Sequence, residues 1–226
     1  IHLAAQAGVR YSLINPSKYF NVNVKGYINL IENLNKTNLK KVIYASSSSV
    51  YGDANKFPVN EDQIINPKNP YGISKKINED TSSIFSKKLN ITFIGLRFFT
   101  IYGEWGRPDM FILKFLQKNL LNKNFQLNNN GEHYRDFTYI KEVVIIINKF
   151  LNLKLERKNH IFNVCTSKPI YIRGLSNFLS NKIGFKKVKN IKINKADVLK
   201  THGNNKKLIK TLGSIKFTNF KLGLKN

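Results

Sequence analysis

A chain of 226 residues is long enough to bury one sizeable core, or one core with a small lobe attached. Its single cysteine, Cys165, excludes an internal disulfide framework, and no apolar run approaches the roughly 18 to 20 residues that cross a bilayer. The formal net charge of +25 would by itself suggest a nucleic acid or an anionic surface as partner. Arginine, the side chain that grips phosphates bidentately, stands only at Arg10, Arg97, Arg107, Arg135, Arg157 and Arg173, and the lysines are scattered among Asn and Ile rather than clustered. A solvated Lys-rich surface is therefore the expectation, with a bias towards anionic substrates and with neither nucleic acid nor membrane as partner.

The chain opens on Ile1-His2-Leu3-Ala4-Ala5, apolar and strand-like, without the charged region and small-residue cleavage site of a signal peptide, so a soluble cytoplasmic protein entered in mid-fold is expected. Asn15 and Pro16 form a helix start, and Tyr19, Val22, Tyr27, Leu30, Ile31 and Leu34 continue it at mainly helical spacing. Strands are expected at Lys41 to Ala45 and Thr92 to Leu96, with a second helix beginning near Tyr71, just after Pro70. Beyond Gly103 the pattern predicts a helix from about Pro108 to Leu121 and short strands near Gln126 and Phe137. A helix through Val143 to Leu151 and a strand at Ile161 to Val164 follow. Alternating strands and helices imply a doubly wound α/β parallel sheet. Residues 1–103 read as the sheet-forming part, and 104–226 as mainly a smaller lobe with some elements returning to the sheet.

Tyr71 and Lys75 lie four residues apart, on one helix face, a geometry suited to proton transfer because a nearby cation favours the phenolate. The alternative is an ordinary helix face in a chain rich in both residue types. The strand ending at Ala45 runs into Ser46-Ser47-Ser48-Ser49-Val50-Tyr51-Gly52, hydroxyls at the carboxyl end of a parallel strand, where ligands of open α/β sheets bind. A Ser-rich loop with self-satisfied turns is the plainer reading of that segment.

These elements, in this order, resemble the extended short-chain dehydrogenase/reductases that modify nucleotide sugars, the NAD-dependent epimerase/dehydratase group with its Rossmann-type sheet. The resemblance runs from residue 1 nearly to the end. His2 to Arg10 is similar to the family's fourth-strand segment along the cofactor, which implies that Leu3, Ala4 and Ala5 contact NAD. Ser47 matches the catalytic Ser/Thr, Tyr71 the catalytic Tyr, and Lys75 the Lys that binds the nicotinamide ribose. Ser48 and Ser49 fall where substrate is held. Leu96-Arg97-Phe98-Phe99-Thr100-Ile101-Tyr102-Gly103 and Glu104-Trp105-Gly106-Arg107-Pro108-Asp109-Met110 resemble UDP-glucuronate 4-epimerases, implying that Thr100 and Arg107 hold the sugar carboxylate. For Arg107 the alternative is a surface salt bridge or a helix-start arginine before Pro108. Gly131 to Tyr139 resembles the Arg-Asp-Phe segment, which assigns Arg135 to the diphosphate, and Asp197 falls where an Asp meets the uridine ribose.

The resemblance implies a C4 epimerase of UDP-glucuronate and UDP-galacturonate acting through bound NAD, in a homodimer paired through the helices at about Pro16 to Leu34 and Tyr71 to Lys88. An epimerase of UDP-glucose or UDP-N-acetylglucosamine is the alternative within the family; a truncated non-catalytic protein, or a basic nucleic-acid binder, is the alternative outside it. Dehydratases and decarboxylases of the family carry acids where Ser48 and Ser49 stand, which disfavours both reactions. The family's Gly-rich cofactor turn would precede residue 1, on the order of 80 residues of βαβ structure. His133, His160 and His202 lack metal-ligand spacing, so no metal is expected, and Cys165 reads as a packed core thiol.

Overall fold

The computed structural model of the chain describes residues 1–193 and 197–224. Two short helices, α1 (Val9–Ile14) and α2 (Pro16–Tyr19), come first, and Asn15 caps the second by accepting from the Lys18 amide (3.3 Å) ahead of Pro16. A π-helical turn over Phe20–Lys25 leads into α3 (Gly26–Leu34). The single helix expected from Pro16 to Leu34 is thus rewound in its middle. Buried Asn23 sits in that wide turn and ties it to the preceding loop and to the next helix. Its Nδ2 donates to the Gln6 carbonyl (3.0 Å) and to Ser74 Oγ (2.9 Å), while its Oδ1 accepts from the Gln6 amide (2.7 Å).

The remaining elements are β1 (Lys41–Ser47), a 3-10 turn at Ser48–Tyr51, α4 (Pro70–Leu89), β2 (Thr92–Phe98) and β3 (Thr100–Tyr102). Then come α5 (Phe111–Leu120), β4 (Phe125–Asn128), β5 (Tyr134–Tyr139), α6 (Ile140–Asn152) and β6 (Asn159–Val164). The chain closes with β7 (Pro169–Tyr171), α7 (Ile172–Ile183), β8 (Val188–Ile191), α8 (Lys206–Leu212) and α9 (Phe220–Gly223). Helix α5 starts later than the Pro108 expected, because Arg107 to Met110 closes a turn (Met110 N to Arg107 O, 3.1 Å) before the helix begins.

Strands β1, β2 and β6 form a parallel sheet in that order. On the free side of β1 only His2 pairs, exchanging bonds with Ile43 O (2.8 Å) and Ala45 N (3.0 Å), so the opening segment contributes a bridge rather than the five-residue strand expected. The strands alternate their side chains between two cores. Ile43, Ile94 and Leu96 pack under α6 and α8 with Ile146, Phe150 and Leu208, whereas Val42, Tyr44 and Phe93 pack under α3 and α4 with Tyr27, Ile31 and Leu34. Helices on both faces make this the doubly wound α/β arrangement expected. Gly95 is required by the second core, since a Cβ there would lie 2.6 Å from the Tyr44 ring hydroxyl.

A third core gathers Phe115, Phe125, Phe137, Leu175 and Phe185 between α5, β4, β5 and α7. Strand β5 pairs parallel with β3 and antiparallel with β7, and β4 pairs parallel with β8. The residues after 103 therefore build this lobe and also return β6, α6 and α8 to the main sheet.

Candidate active site

The carboxyl end of β1 and the start of α4 meet at close range. Asn69 caps α4 by accepting from the Gly72 amide (2.9 Å), with Pro70 at its first position. Gly72 then lies against the Ser49 carbonyl, which an added Cβ would approach to 2.6 Å, so a side chain there would push the helix off the serine turn. Ser47, the last residue of β1, accepts from the Ser49 amide through its hydroxyl (3.1 Å), which holds the 3-10 turn.

That junction forms one wall of a cavity of about 920 Å³. Ser47, Ser48, Ser49, Tyr71, Thr100, Arg107, Arg135 and Asp197 all line it, as does Ala5. Residues as far apart in sequence as Ala5 and Asp197, 192 positions, are therefore brought to a single void. Leu3 and Ala4 do not line it; Leu3 is exposed, and the loop wall is made by Ala5 to Tyr11 instead. Lys75 lies behind the wall, 2% exposed, and donates to the Ala45 carbonyl (2.8 Å).

Electrostatics sharpen these positions. Burial raises the Tyr71 phenol above its ordinary range, while the Ser47 hydroxyl and then the Arg107 guanidinium pull it back down. The Arg107 charge therefore favours the Tyr71 phenolate, while the Lys75 ammonium is turned to the Ala45 carbonyl at the end of β1. Burial lowers Lys75 itself to about 8.

Arg107 makes the surface salt bridge weighed as its alternative. Its Nε and Nη2 donate to the two Asp109 carboxylate oxygens (2.9 and 2.8 Å). Asp197 is likewise engaged, accepting from Arg10 Nε and Nη2 (3.1 and 2.6 Å) across 187 positions of sequence. Arg135 donates to the Tyr134 and Leu199 carbonyls (2.9 and 3.3 Å), and burial beside Arg10 brings its guanidinium down to about 10 despite the opposing charge of Asp197. Arg10 and His133 are among the cavity residues to which the sequence reading gave no role. Arg10 projects from α1 to Asp197 and to the Asn128 amide oxygen when that oxygen faces it (3.1 and 2.6 Å from Nη1 and Nη2). His133 is buried with its Nε2 unpartnered among the described residues, and burial lowers its pKa. Adjacency to the Arg135 segment was the signal for His133; nothing local marked Arg10.

Among the described residues, no group of three or more His, Cys, Asp or Glu is placed to hold a metal ion, and no helix is long and apolar enough to cross a membrane. Cys165 is fully buried beside β6, and burial raises its thiol well above the ordinary range.

Residues 1–165 match the family model described as the NAD dependent epimerase/dehydratase family. The chain belongs to that family. Among relatives of this epimerase/dehydratase, an uncharacterized protein of Methanocaldococcus jannaschii is 41% identical over 218 residues, covering 94% of this chain and 65% of that protein. UDP-glucuronate 4-epimerase 4 of Arabidopsis thaliana is 35% identical over 243 residues, covering 100% of this chain and 56% of that protein. This epimerase/dehydratase chain therefore spans a little over half to about two thirds of the length of these relatives. Among solved structures, MoeE5 in complex with UDP-glucuronic acid and NAD superposes with a TM-score of 0.93 at 29% identity, covering 99% of this chain and 75% of that one. UDP-glucuronic acid 4-epimerase from Bacillus cereus, in complex with UDP-glucuronic acid and NAD, superposes with a TM-score of 0.92 at 28% identity, covering 100% and 72%.

Proposed function

We propose that the protein is an NAD-dependent 4-epimerase that interconverts UDP-glucuronate and UDP-galacturonate. The observation that carries this reading is that Tyr71 and Arg107 line one cavity, with the Arg107 charge acting on the Tyr71 phenol and with Thr100 beside them on the wall. The relatives named as UDP-glucuronate 4-epimerases support the substrate.

Lys75 is suited to NAD. It is a buried cation whose one protein bond is to a carbonyl, so its remaining donors can meet the hydroxyls of a ribose. Ala5 and the loop to Gly8 supply backbone along the cavity wall. NAD held there would supply the acceptor for a hydride from C4 of the sugar and the donor for its return to the opposite face.

Tyr71, as phenolate, takes the proton of the C4 hydroxyl and gives it back when the 4-keto sugar is reduced; Ser47 orients that hydroxyl and relays the proton. Burial works against the phenolate, and the Ser47 hydroxyl and the Arg107 charge work for it, so the same arginine that would hold the substrate also bears on Tyr71. Thr100 and Arg107 hold the sugar carboxylate, Ser48 and Ser49 contact the sugar, Arg135 holds the diphosphate, and Asp197 meets the uridine ribose. A guanidinium binding a carboxylate with two parallel charged hydrogen bonds supplies both affinity and orientation.

A second reading, epimerisation of a neutral UDP-hexose, draws on the occupied fork of Arg107: Asp109 already fills the edge that a sugar carboxylate would use. The protein is proposed to pair as a homodimer through α2, the π-helical turn, α3 and α4, where Phe20, Val22, Ile28, Ile73 and Ile84 stand exposed.

The test is Tyr71→Phe in the protein produced from its full open reading frame. Turnover of UDP-sugar is expected to fall by about 10²- to 10⁴-fold, the usual range for losing a general acid–base group. Retained turnover would remove Tyr71 from the mechanism.

A further inference from the structure

We propose that Asp109 is a specificity-determining residue: its carboxylate occupies the Arg107 fork as an internal stand-in for the substrate carboxylate, and a uronate sugar must exchange with it whereas a neutral sugar need not. The inference rests on the uronate reading above and adds to it the group that sets the cost of admitting a charged sugar.

The geometry is that of substrate recognition made within the chain. Nε and Nη2 of Arg107 lie 2.9 and 2.8 Å from Oδ1 and Oδ2 of Asp109, the parallel arrangement by which a guanidinium binds any carboxylate. One such edge holds one carboxylate at a time. Met110 Sδ also accepts from Nη2 (3.6 Å), so that side of the guanidinium is fully engaged. Both residues line the cavity that contains Tyr71 and Thr100, so the competition takes place where the sugar would lie.

Exchange is cheap by construction. Arg107 and Asp109 are 44% and 61% exposed, and an exposed ion pair is weakened by solvent and salt. The two residues are two positions apart in the turn before α5, so parting them asks only for side-chain rotation, not for movement of the core. Lys114, on the first turns of α5 and also on the cavity wall, acts on the Asp109 carboxylate in the same sense as Arg107 and gives it a second cation to face when released. A neutral sugar leaves the Arg107–Asp109 pair intact, and the cavity then presents no net charge at this point. Among the described residues Nη1 keeps its donors free, but a uronate reaches the parallel Nε and Nη2 edge only by displacing Asp109, and afterwards remains near a second carboxylate that repels it.

The experiment measures binding of UDP-glucuronate and UDP-glucose by calorimetry to the parent protein, to Asp109→Asn and to Asp109→Glu, in the presence of NAD. Asp109→Asn is expected to tighten UDP-glucuronate by roughly two- to fivefold, the range to which the strength of an exposed ion pair converts, and to leave UDP-glucose within about twofold. Asp109→Glu, which keeps the competing charge, is expected to restore the parent's ratio of the two affinities. Unchanged or weaker UDP-glucuronate binding in Asp109→Asn, alongside normal UDP-glucose binding, would overturn the proposal and make Asp109 a support for Arg107 instead. A parent that binds UDP-glucose and not UDP-glucuronate would sink the uronate reading, and this proposal with it, a result distinct from a failure confined to the variant.

Discussion

The buried position of Lys75, proposed to meet the cofactor, costs stability. Its ammonium is 2% exposed with a single carbonyl partner, and burial lowers it from 10.5 to about 8. Between about 8 and 10.5 the unfolded chain holds a proton here that the folded chain has released, so stability rises with pH across that window and the penalty is fully present below about 8. That penalty is on the order of 3 kcal/mol. Lys75→Met is therefore expected to raise the unfolding free energy at pH 7 by an amount of that order, with a gain that shrinks as pH rises towards 10, read by urea titration at several pH values. A gain that does not change with pH would mean that burial leaves the Lys75 pKa unshifted, and a loss of stability would mean that the site stabilises the protonated lysine. At this scale the sequence was informative wherever spacing is local. The Tyr71 and Lys75 pair, the serine turn and the helix start near Tyr71, just after Pro70, could each be read from a few neighbouring letters. The pairs that decide the charge state of the cavity could not. Arg10 finds Asp197 across 187 residues, and the sequence left open whether Arg107 makes a surface salt bridge, as it does with Asp109, or keeps its fork for a ligand. Neither outcome leaves a periodic or compositional trace.

At the scale of elements, the active-site wall is braced from beneath by one buried polar network. Arg97 on β2 donates through Nε and Nη2 to the Glu79 carboxylate on α4 (2.9 and 2.8 Å) and through Nη1 to the Tyr51 hydroxyl (2.7 Å). Ser46 on β1 donates to Glu79 (2.5 Å), and the Tyr51 hydroxyl donates to Asn163 on β6 (2.7 Å). Three parallel strands and the helix bearing Tyr71 and Lys75 are thereby locked in register, one helical turn beyond Lys75. Glu79→Gln would leave Arg97 buried without its counter-charge and is expected to destabilise the fold by about 3 to 5 kcal/mol. A loss below about 1 kcal/mol in denaturant titration would show that Arg97 reaches water or another anion. The strands of this network were legible because β1, β2 and β6 are buried on both faces and read as nearly continuous apolar runs. The elements after Val164 were not. Strand β7 has three residues, too few for any period, and α7 carries Gly174, Ser176 and Asn177 among its apolar positions. The π-helical turn escaped for a different reason: Asn23 is a poor core residue by composition and is buried only because the Gln6 backbone and Ser74 satisfy its amide.

At the scale of the whole molecule, two packed faces of one sheet and a lobe from the later half enclose a cavity whose lining alternates between cation and anion. The charge of +25 resides mostly on lysines elsewhere, which fits attraction of a nucleotide sugar better than a shaped nucleic-acid surface. Pairing through α2, α3 and α4 predicts a dimer by analytical ultracentrifugation, with Ile84→Glu shifting it to monomer; a monomeric parent at micromolar concentration would remove that interface. The most direct test of the central claim is product analysis by NMR after incubating the protein with NAD and either UDP-glucuronate or UDP-glucose. Interconversion of UDP-glucuronate and UDP-galacturonate, abolished in Tyr71→Phe, is the predicted result. Turnover of UDP-glucose alone, or of neither sugar by folded protein that binds NAD, would contradict it.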